Sequence, residues 1–400
     1  MRVIIIGGGA SGMMAAISAA QNPDHDITLL ERQARVGRKL AATGNGRCNL
    51  SNLHLEQGDY QTDSPAVLQI FHAFGVQRTL DFFHSLGLVT VSEASGRLYP
   101  FSDQANSVVD VLRFALDRPN LHLLTGCEVT RVRKEGRFIV ETADQIWTAD
   151  RLILACGGPA GGKLGGTADG YRFARILGHR IVDPRPGLVQ LKCSLPRGLK
   201  GIRAVARLTL LEQSHTVQTL DGEVQFTDYG PSGPAIFTLS RPVAVCSAPA
   251  LRLDLLPQLD RLELLDMLRE RAVHCPQLTC ENLLTGMLQN RLGRTLVQQA
   301  GLRLDLPLAG LTAAQLQAVA DTVKFWTLPI DGTLSFDQAQ VTVGGIRAGE
   351  FDPVTLESRR CPGLFACGEV LNVDGTCGGF NLQWAWSSGY VAGRLGEDAV

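Results

Sequence analysis

The stretch VIIIGGGASGMMAAISAA, residues 3–20, decides the fold. Its first four residues are all β-branched, as in a short parallel strand buried on both faces. Three glycines follow, and a run of small residues over 13–20 then suits a closely packed helix. The pattern is strand, GxGxxG, helix. Gly7 permits the tight turn, Gly9 lets the backbone approach a pyrophosphate, and Gly12 lets the helix lie close to the strand with its N-terminal N–H groups facing the anion. A second strand, 26–30, ends in Glu31, roughly 20 residues beyond the glycines, where a carboxylate accepts hydrogen bonds from an adenosine ribose. A signal peptide is the competing reading of the same residues, and the consecutive glycines exclude it because a helical apolar segment tolerates them poorly.

Two later stretches favour FAD over NAD as the resident dinucleotide. LILACGG at 152–158 is another apolar strand ending in paired glycines, and GLFACGE at 363–369 is a third, followed by Gly375, Gly378 and Gly379. An extended, non-covalently held FAD needs contacts from several separated strand ends, including one near the C-terminus. An N-terminal NAD site does not need the last of these.

With 400 residues, the chain exceeds the size at which one core usually stops growing, so at least two domains are expected. The 38 basic and 39 acidic residues nearly cancel, which argues against a nucleic-acid partner. Ten scattered cysteines without a CxxC pair fit reduced thiols in a cytoplasm and no metal site. No run of about eighteen apolar residues predicts a membrane span.

Along the chain, apolar spacing predicts helices over 64–86 and 106–117, and alternation predicts strands over 121–130 and 138–142. From about Pro186 the pattern turns to antiparallel strands, 188–193, 204–212, 216–220 and 223–227, with Asp221-Gly222 as a hairpin turn. Helices over 259–272, 283–300 and 313–321 and strands near 324–328 and 340–343 follow. The expected organisation is α/β: a discontinuous Rossmann-like FAD-binding domain, 1–186 and 336–400, with an inserted β-barrel and helical subdomain, 187–335.

One loop, AATGNGRCNLSN at 41–52, carries glycines, asparagines, an arginine and a cysteine with almost nothing apolar to bury. A reduced flavin carries negative charge at its pyrimidine edge, so oriented donors must approach the ring without crowding it. Arg47 suits that task, or a salt bridge that fixes the loop. Asn45 and Asn49 suit the ring edge or the loop itself. Cys48 is a catalytic thiol or a small packing residue. In GRLYPFSDQANS, 96–107, Tyr99 is a proton donor or a core aromatic. Trp384 and Trp386 read chiefly as core.

Six ordered blocks then resemble the BaiN-like family of bacterial NAD(P)/FAD-dependent oxidoreductases: GGGASG at 7–12, GRKLAATGNGRCNLSN at 37–52, GRLYPFSDQA at 96–105, FTDYGPSGPAI at 226–236, VTVGGI at 341–346 and GEVLNVDGTCGGFNLQWAWSSG at 368–389. The resemblance implies that the insert covers the flavin. It implies that Gly7, Gly9, Gly12 and Glu31 hold the ADP half, and that Arg38, Lys39 and Thr43 lie beside the pyrophosphate. Asn45, Arg47 and Cys48 then approach the isoalloxazine, and Glu369, Asn372, Gly379, Phe380 and Asn381 reach the ribityl chain and pyrimidine edge. Further cofactor contacts are expected at Ser11, Arg32, Gly46, Val129, Ala155, Gly157, Gly368 and Leu382. Asn45 stands where glycine is more usual, and Asn372 where aspartate is common.

The implied activity is reduction of FAD by a transiently bound NADH or NADPH, then hydride transfer from flavin N5 to a hydrophobic organic acceptor such as a conjugated enone of steroid or bile-acid type. Arg47, Cys48 and Tyr99 are the candidate catalytic residues. No second GxGxxG marks a permanent NAD(P) domain. Two other readings stand beside this one, a flavoprotein of the tRNA-modifying type and a flavin-binding sensor without turnover.

Overall fold

The computed structural model describes residues 1–244 and 246–396. The chain divides into two compact units, one built from 1–187 and continuing from Phe336, the other spanning 188–335. In the first, strands β1 (Arg2–Ile6), β2 (Asp26–Glu31), β3 (Leu121–Thr125), β4 (Arg151–Leu154) and β5 (Leu364–Ala366) form a parallel sheet in the order β5-β4-β1-β2-β3. Val3 pairs with Ile27 on one side and Arg151 on the other, which puts β1 at the centre. That position explains its uninterrupted apolar run: residues 3–6 are no more than 6 % exposed.

Three helices matter for the site: α1 (Ala10–Ala19), the short α2 (Arg38–Ala42) and α3 (Phe380–Gly393). α3 lies backbone to backbone on α1. A Cβ at Gly389 would stand 2.4 Å from the Ser11 carbonyl oxygen, and one at Gly393 2.4 Å from that of Ala15. Two glycines four residues apart thus form a flat stripe on α3 that admits α1.

The expected helix over 64–86 is broken into a 3-10 turn, Pro65–Gln69, and helices Ile70–Ala73 and Val76–Ser85. At the break, a Cβ on Gly75 would stand 2.7 Å from the Phe71 carbonyl oxygen.

In the second unit, the antiparallel strands make a five-stranded sheet in the order Pro231–Ser232, His215–Phe226, Arg203–Glu212, Pro249–Asp254, Trp326–Pro329. This order has two ends, so among the described residues the expected barrel is not closed by backbone pairing. The hairpin turns at Gln213-Ser214, both at positive φ (46° and 77°), and not at Asp221-Gly222. Asp221 sits in mid-strand, opposite Arg207 and ion-paired with it at 2.8 Å. Gly222 makes room for the helix Pro234–Val243, since a Cβ there would lie 2.8 Å from that of Ala235. The helix expected over 283–300 is only Asn290–Gln299, opened by the Gln289 side chain accepting from the Leu292 N–H at 3.1 Å. The chain before it turns at Gly286, where φ is +86°.

A polar cluster of the first unit makes its stability depend on pH. His179 is buried with Nδ1 2.9 Å from Glu350 Oε2, Nε2 2.9 Å from Ser358 Oγ, and its ring stacked on Phe351. Burial lowers the His179 pKa below its ordinary 6.5, partly opposed by Glu350. Burial raises that of Glu350, but Arg180 and His179 hold the net value below 4.5. Both folded pKa values are depressed, so the unfolded chain takes up more protons and stability falls with pH, first through about 6.5 and then below about 4.5. Thermal melts at about pH 7.5 and about pH 5.5 are expected to show a smaller acid-induced drop for His179→Gln than for the wild type.

Candidate functional site

The N-terminal glycines build one end of the site. Gly7 leaves β1 at a φ of +110°, and its N–H donates to the Leu30 carbonyl oxygen at 2.8 Å. Gly9 is the N-cap of α1 and caps it with no side chain; a Cβ there would meet no protein atom within 4 Å. Gly12 is the opposite case, its Cβ position being 1.8 Å from the Gly7 carbonyl oxygen. At the end of β2, Glu31 accepts the Gly8 N–H on Oε2 and the Gln33 N–H on Oε1, both at 2.7 Å. Each oxygen keeps a lone pair for a further donor.

Gly7, Glu31, Arg32 and Val129 line one cleft with Cys156 of the LILACGG strand end and with Cys127, Glu128, Thr167, Asp169 and Phe173, which no sequence motif singles out. Asp169 pairs with Arg32 at 3.5 Å and accepts from the Thr167 hydroxyl at 2.6 Å. The glycine-rich segment before Tyr171 was the available signal for this wall. Ala155 closes on the glycine turn, its carbonyl oxygen 2.4 Å from a Cβ at Gly7. Gly157 follows at a φ of +66°, with no protein atom within 4 Å of its Cβ position. Ser11 faces Gly368, where a Cβ would lie 2.3 Å from the serine hydroxyl.

α2 is brought to the glycine turn by the Gly37 N–H, which donates to the Gly8 carbonyl oxygen at 2.9 Å. Lys39 pairs with Glu369 at 2.7 Å, and the other Glu369 oxygen accepts the Thr342 N–H at 2.9 Å. The Arg38 guanidinium bonds the Gln33 side chain and the Lys163 carbonyl oxygen. Thr43 donates to the Leu40 carbonyl oxygen at 2.7 Å.

Beyond Thr43 the loop is held in left-handed backbone at Gly44, Asn45, Gly46 and Cys48, with φ of 58°, 57°, 87° and 60°. The Arg47 Nε donates to Asp103 at 2.5 Å, its terminal nitrogens lie 3.4 Å from Glu93, and the guanidinium sits 4.1 Å above the Tyr99 ring. The salt bridge and the aromatic partner therefore coexist. Tyr99 is buried, and burial, helped by Glu93, raises its pKa, so the hydroxyl stays protonated at neutral pH. Cys48 is wholly buried and its pKa is pushed up to about 12 by that burial. At neutral pH it is a thiol packed in the core, which is the placement of a packing residue.

The C-terminal contribution is the start of α3. Gly379 is its N-cap, again without a side-chain cap, and a Cβ there would lie 2.4 Å from the Ser51 carbonyl oxygen. The Asn52 amide donates to the Gly378 carbonyl oxygen at 3.0 Å and the Tyr60 hydroxyl to that of Phe380 at 2.8 Å. The Asn381 side chain closes on Gly375 in both directions at 2.8 Å, and Asn372 donates to Asp63 at 2.8 Å. Both side chains thus brace their own loops, while Leu382 packs on the core. Trp384 and Trp386 are buried and donate to the carbonyl oxygens of Gly368 and Leu50. Sequence reading missed Gln383, which is 0 % exposed and joins Ser51, Thr79 and Ser387 in a buried network beneath this turn.

These residues fit FAD. Glu31 keeps an acceptor lone pair on each oxygen, and α1 and α3 both open without a side-chain cap, so their first N–H groups are available to an anion or a carbonyl oxygen, as an extended FAD requires. Among the described residues no cluster of side chains could hold a metal ion, and no helix is long and apolar enough to cross a membrane.

Comparison with known proteins agrees with this geometry. The model of the HI0933-like protein Rossmann domain matches residues 1–395. The chain is 40 % identical to the 3-dehydro-bile acid delta(4,6)-reductase of Clostridium scindens over 99 % of each chain. It is 31 % identical to the ribosomal RNA dihydrouridine synthase of Escherichia coli over 98 % of this chain and 96 % of that one. In fold it is similar to the 3-ketosteroid delta1-dehydrogenase of Sterolibacterium denitrificans, with a TM-score of 0.50, 13 % identity and 98 % of each chain covered. With a match over nearly its whole length and a dinucleotide turn of this geometry, the chain belongs to the HI0933-like Rossmann-domain family and is a flavoprotein oxidoreductase.

Proposed function

We propose that this protein is an FAD-dependent reductase that saturates a carbon–carbon double bond conjugated with a carbonyl, with NADH or NADPH as the electron source. The observation that carries the reading is the pairing of Arg47 with a protonated Tyr99 against the glycine loop, the ring edge being 3.7 Å from the Cβ position of Gly44. Such a reduction adds a hydride at one carbon and a proton at the other. FAD, when bound, supplies the hydride. Tyr99 supplies the proton, and Arg47 stabilises the charge that develops on the acceptor's carbonyl oxygen. Asp103 and Glu93 hold the guanidinium over the ring for that purpose. Without a second GxGxxG, the nicotinamide docks only transiently.

The names of the two curated relatives describe the same chemistry on different acceptors. A 3-dehydro-bile acid carries a 3-oxo group in conjugation with its double bonds, and the uracil C5=C6 bond is conjugated with the C4 carbonyl. The small hydrophobic enone is the first reading, supported by the 40 % identity and by the balance of 38 basic against 39 acidic residues. The second reading, uracil in RNA, is favoured by 31 % identity over 98 % of the chain.

An anaerobic titration with NADH and separately NADPH, followed at the visible flavin band, tests the donor. The reduced protein is then mixed with a panel of enones or with a ribosomal RNA transcript. Rapid reoxidation by enones alone supports the first reading and by the transcript alone the second; bleaching with neither nucleotide removes them as donors. Arg47→Ala is expected to retain FAD and slow turnover by roughly 10²–10³, the scale of losing one oriented donor. Unchanged kinetics would reduce Arg47 to a latch for its loop.

A further inference from the structure

The strand that carries Tyr99 also presents apolar side chains to solvent. Arg97–Pro100 pairs antiparallel with Thr90–Ser92, with Val91 opposite Tyr99. The Glu93 N–H donates to the Arg97 carbonyl oxygen at 2.9 Å and the Phe101 N–H to that of Val89 at 2.8 Å, so the same register continues past both ends of the pairing. Side chains directly opposite each other share a face, as do alternate residues along one strand. One face of this hairpin therefore carries three cross-strand pairs in a row: Arg97 with Glu93, Tyr99 with Val91, and Phe101 with Val89.

The face changes character along its length. At one end Arg47 lies over the Tyr99 ring, held by Glu93 and Asp103, and the Arg97 side chain hydrogen-bonds the Tyr99 hydroxyl. Towards the other, Phe101, Val89 and Val91 are 74, 58 and 44 % exposed. Single exposed apolar side chains are ordinary, but three side by side against a guanidinium and a phenol have the pattern of a binding surface. Nucleic acid is a poor match for it. Residues 88–104 carry two carboxylates, Glu93 and Asp103, against one cation, Arg97, a balance that does not attract phosphate. The complementary molecule has an uncharged apolar body at one end and a carbonyl oxygen, an acceptor for guanidinium donors, at the other.

We propose that this face is the acceptor site for a polycyclic enone, its rings lying on Phe101, Val89 and Val91 and its carbonyl oxygen accepting from Arg47 beside the Tyr99 hydroxyl. The inference rests on the reductase reading above and deepens it, because it selects a rigid hydrophobic enone over a uracil in RNA. Phe101 takes no part in bond making; it determines which acceptor is held.

The test follows reoxidation of the FAD-loaded enzyme by stopped flow, the flavin having been reduced with dithionite so that the nucleotide plays no part. Progesterone serves as the polycyclic enone and cyclohexenone as the single ring. Phe101→Ser is expected to raise the half-saturating concentration of progesterone about tenfold, the scale of withdrawing one aromatic side chain from an apolar contact, with the limiting rate held to within about twofold. Cyclohexenone should feel this substitution much less. Val89→Thr keeps the shape and suits a strand, and should raise the progesterone value roughly threefold. Ile146→Thr, an exposed apolar residue on another strand of the same unit, is the control and should change neither.

Should Phe101→Ser not fold, Val89→Thr decides. Progesterone saturation that neither variant moves overturns the proposal, and turnover of either enone then leaves the reductase reading standing. Equal losses for both enones in Phe101→Ser overturn it too. A change from dimer to monomer in sedimentation, with progesterone saturation unmoved, gives the face to a second copy of the chain and likewise overturns it. A wild type whose reduced flavin is reoxidised by neither enone removes both this site and the enone reading.

Discussion

Gly12→Ala is expected to abolish stable FAD binding and to lower the melting temperature. The added methyl carbon would lie 1.8 Å from the Gly7 carbonyl oxygen and 3.2 Å from the Ala155 side chain. The first contact is with backbone, so no rotamer change relieves it. α1 must move away from β1, carrying its N-terminal N–H groups off the pyrophosphate position. α3 opposes any such shift, because its Gly389 and Gly393 already rest on the Ser11 and Ala15 carbonyl oxygens of α1. Overpacking costs about 1–3 kcal/mol and more where backbone is met, as at this glycine; if a loss of about 3 kcal/mol falls on the binding-competent state, affinity for FAD drops by about 10². Gly9→Ala is the matched control. Its methyl meets no protein atom within 4 Å, so the melting temperature of the apoprotein should hold while FAD binds more weakly. Equal FAD affinity in Gly12→Ala and the wild type would mean that the turn yields more easily than its backbone contacts allow.

Tyr99→Phe is expected to slow acceptor reduction by about 10²–10⁴, the usual contribution of a placed proton donor, with flavin reduction by the nucleotide unchanged. The substitution keeps the ring under Arg47 and its packing beside Gly44, and removes only the hydroxyl. Stopped-flow measurement of the two half-reactions separates the effects. In a folded, FAD-replete variant, an unaltered oxidative half-reaction would assign the proton to another donor and leave Tyr99 as an aromatic seat for Arg47. The phenol should act in its protonated form throughout the neutral range, because burial raises its pKa above 10.0.

The parts of the site legible in the sequence are those where the backbone itself is the functional group. Gly7, Gly9 and Gly12 do their work through turn geometry, open space and close approach, and Glu31 through its place at a strand end. Such roles depend on residue type and spacing over a few tens of residues. The misread hairpin shows the limit of the same logic. Asp-Gly is a strong local turn signal, but in this chain a cross-strand arginine claims Asp221 and a packed helix claims Gly222. Gln213-Ser214, a weaker signal, takes the left-handed turn because it lies where the strands must reverse.

By itself, then, the sequence determined a dinucleotide-binding βαβ start and the strand ends that serve it; the polar glycine loop, expected to lie outside the core, is in fact buried at Cys48 and over Leu50, Ser51 and Asn52. Only the tertiary structure decided what that loop's side chains do. Arg47 meets Asp103, Glu93 and Tyr99 from a hairpin about fifty residues away; Ser51 meets Gln383 at a separation of 332 residues, and Asn52 meets Gly378 at 326. The Asn49 side-chain oxygen is buried without a hydrogen-bond partner, and Cys48 is taken into the core. The physical reason is that a turn's conformation is a local property of its residues. The worth of a polar side chain depends on which donors, acceptors and charges the fold brings to it, and on whether water is shut out.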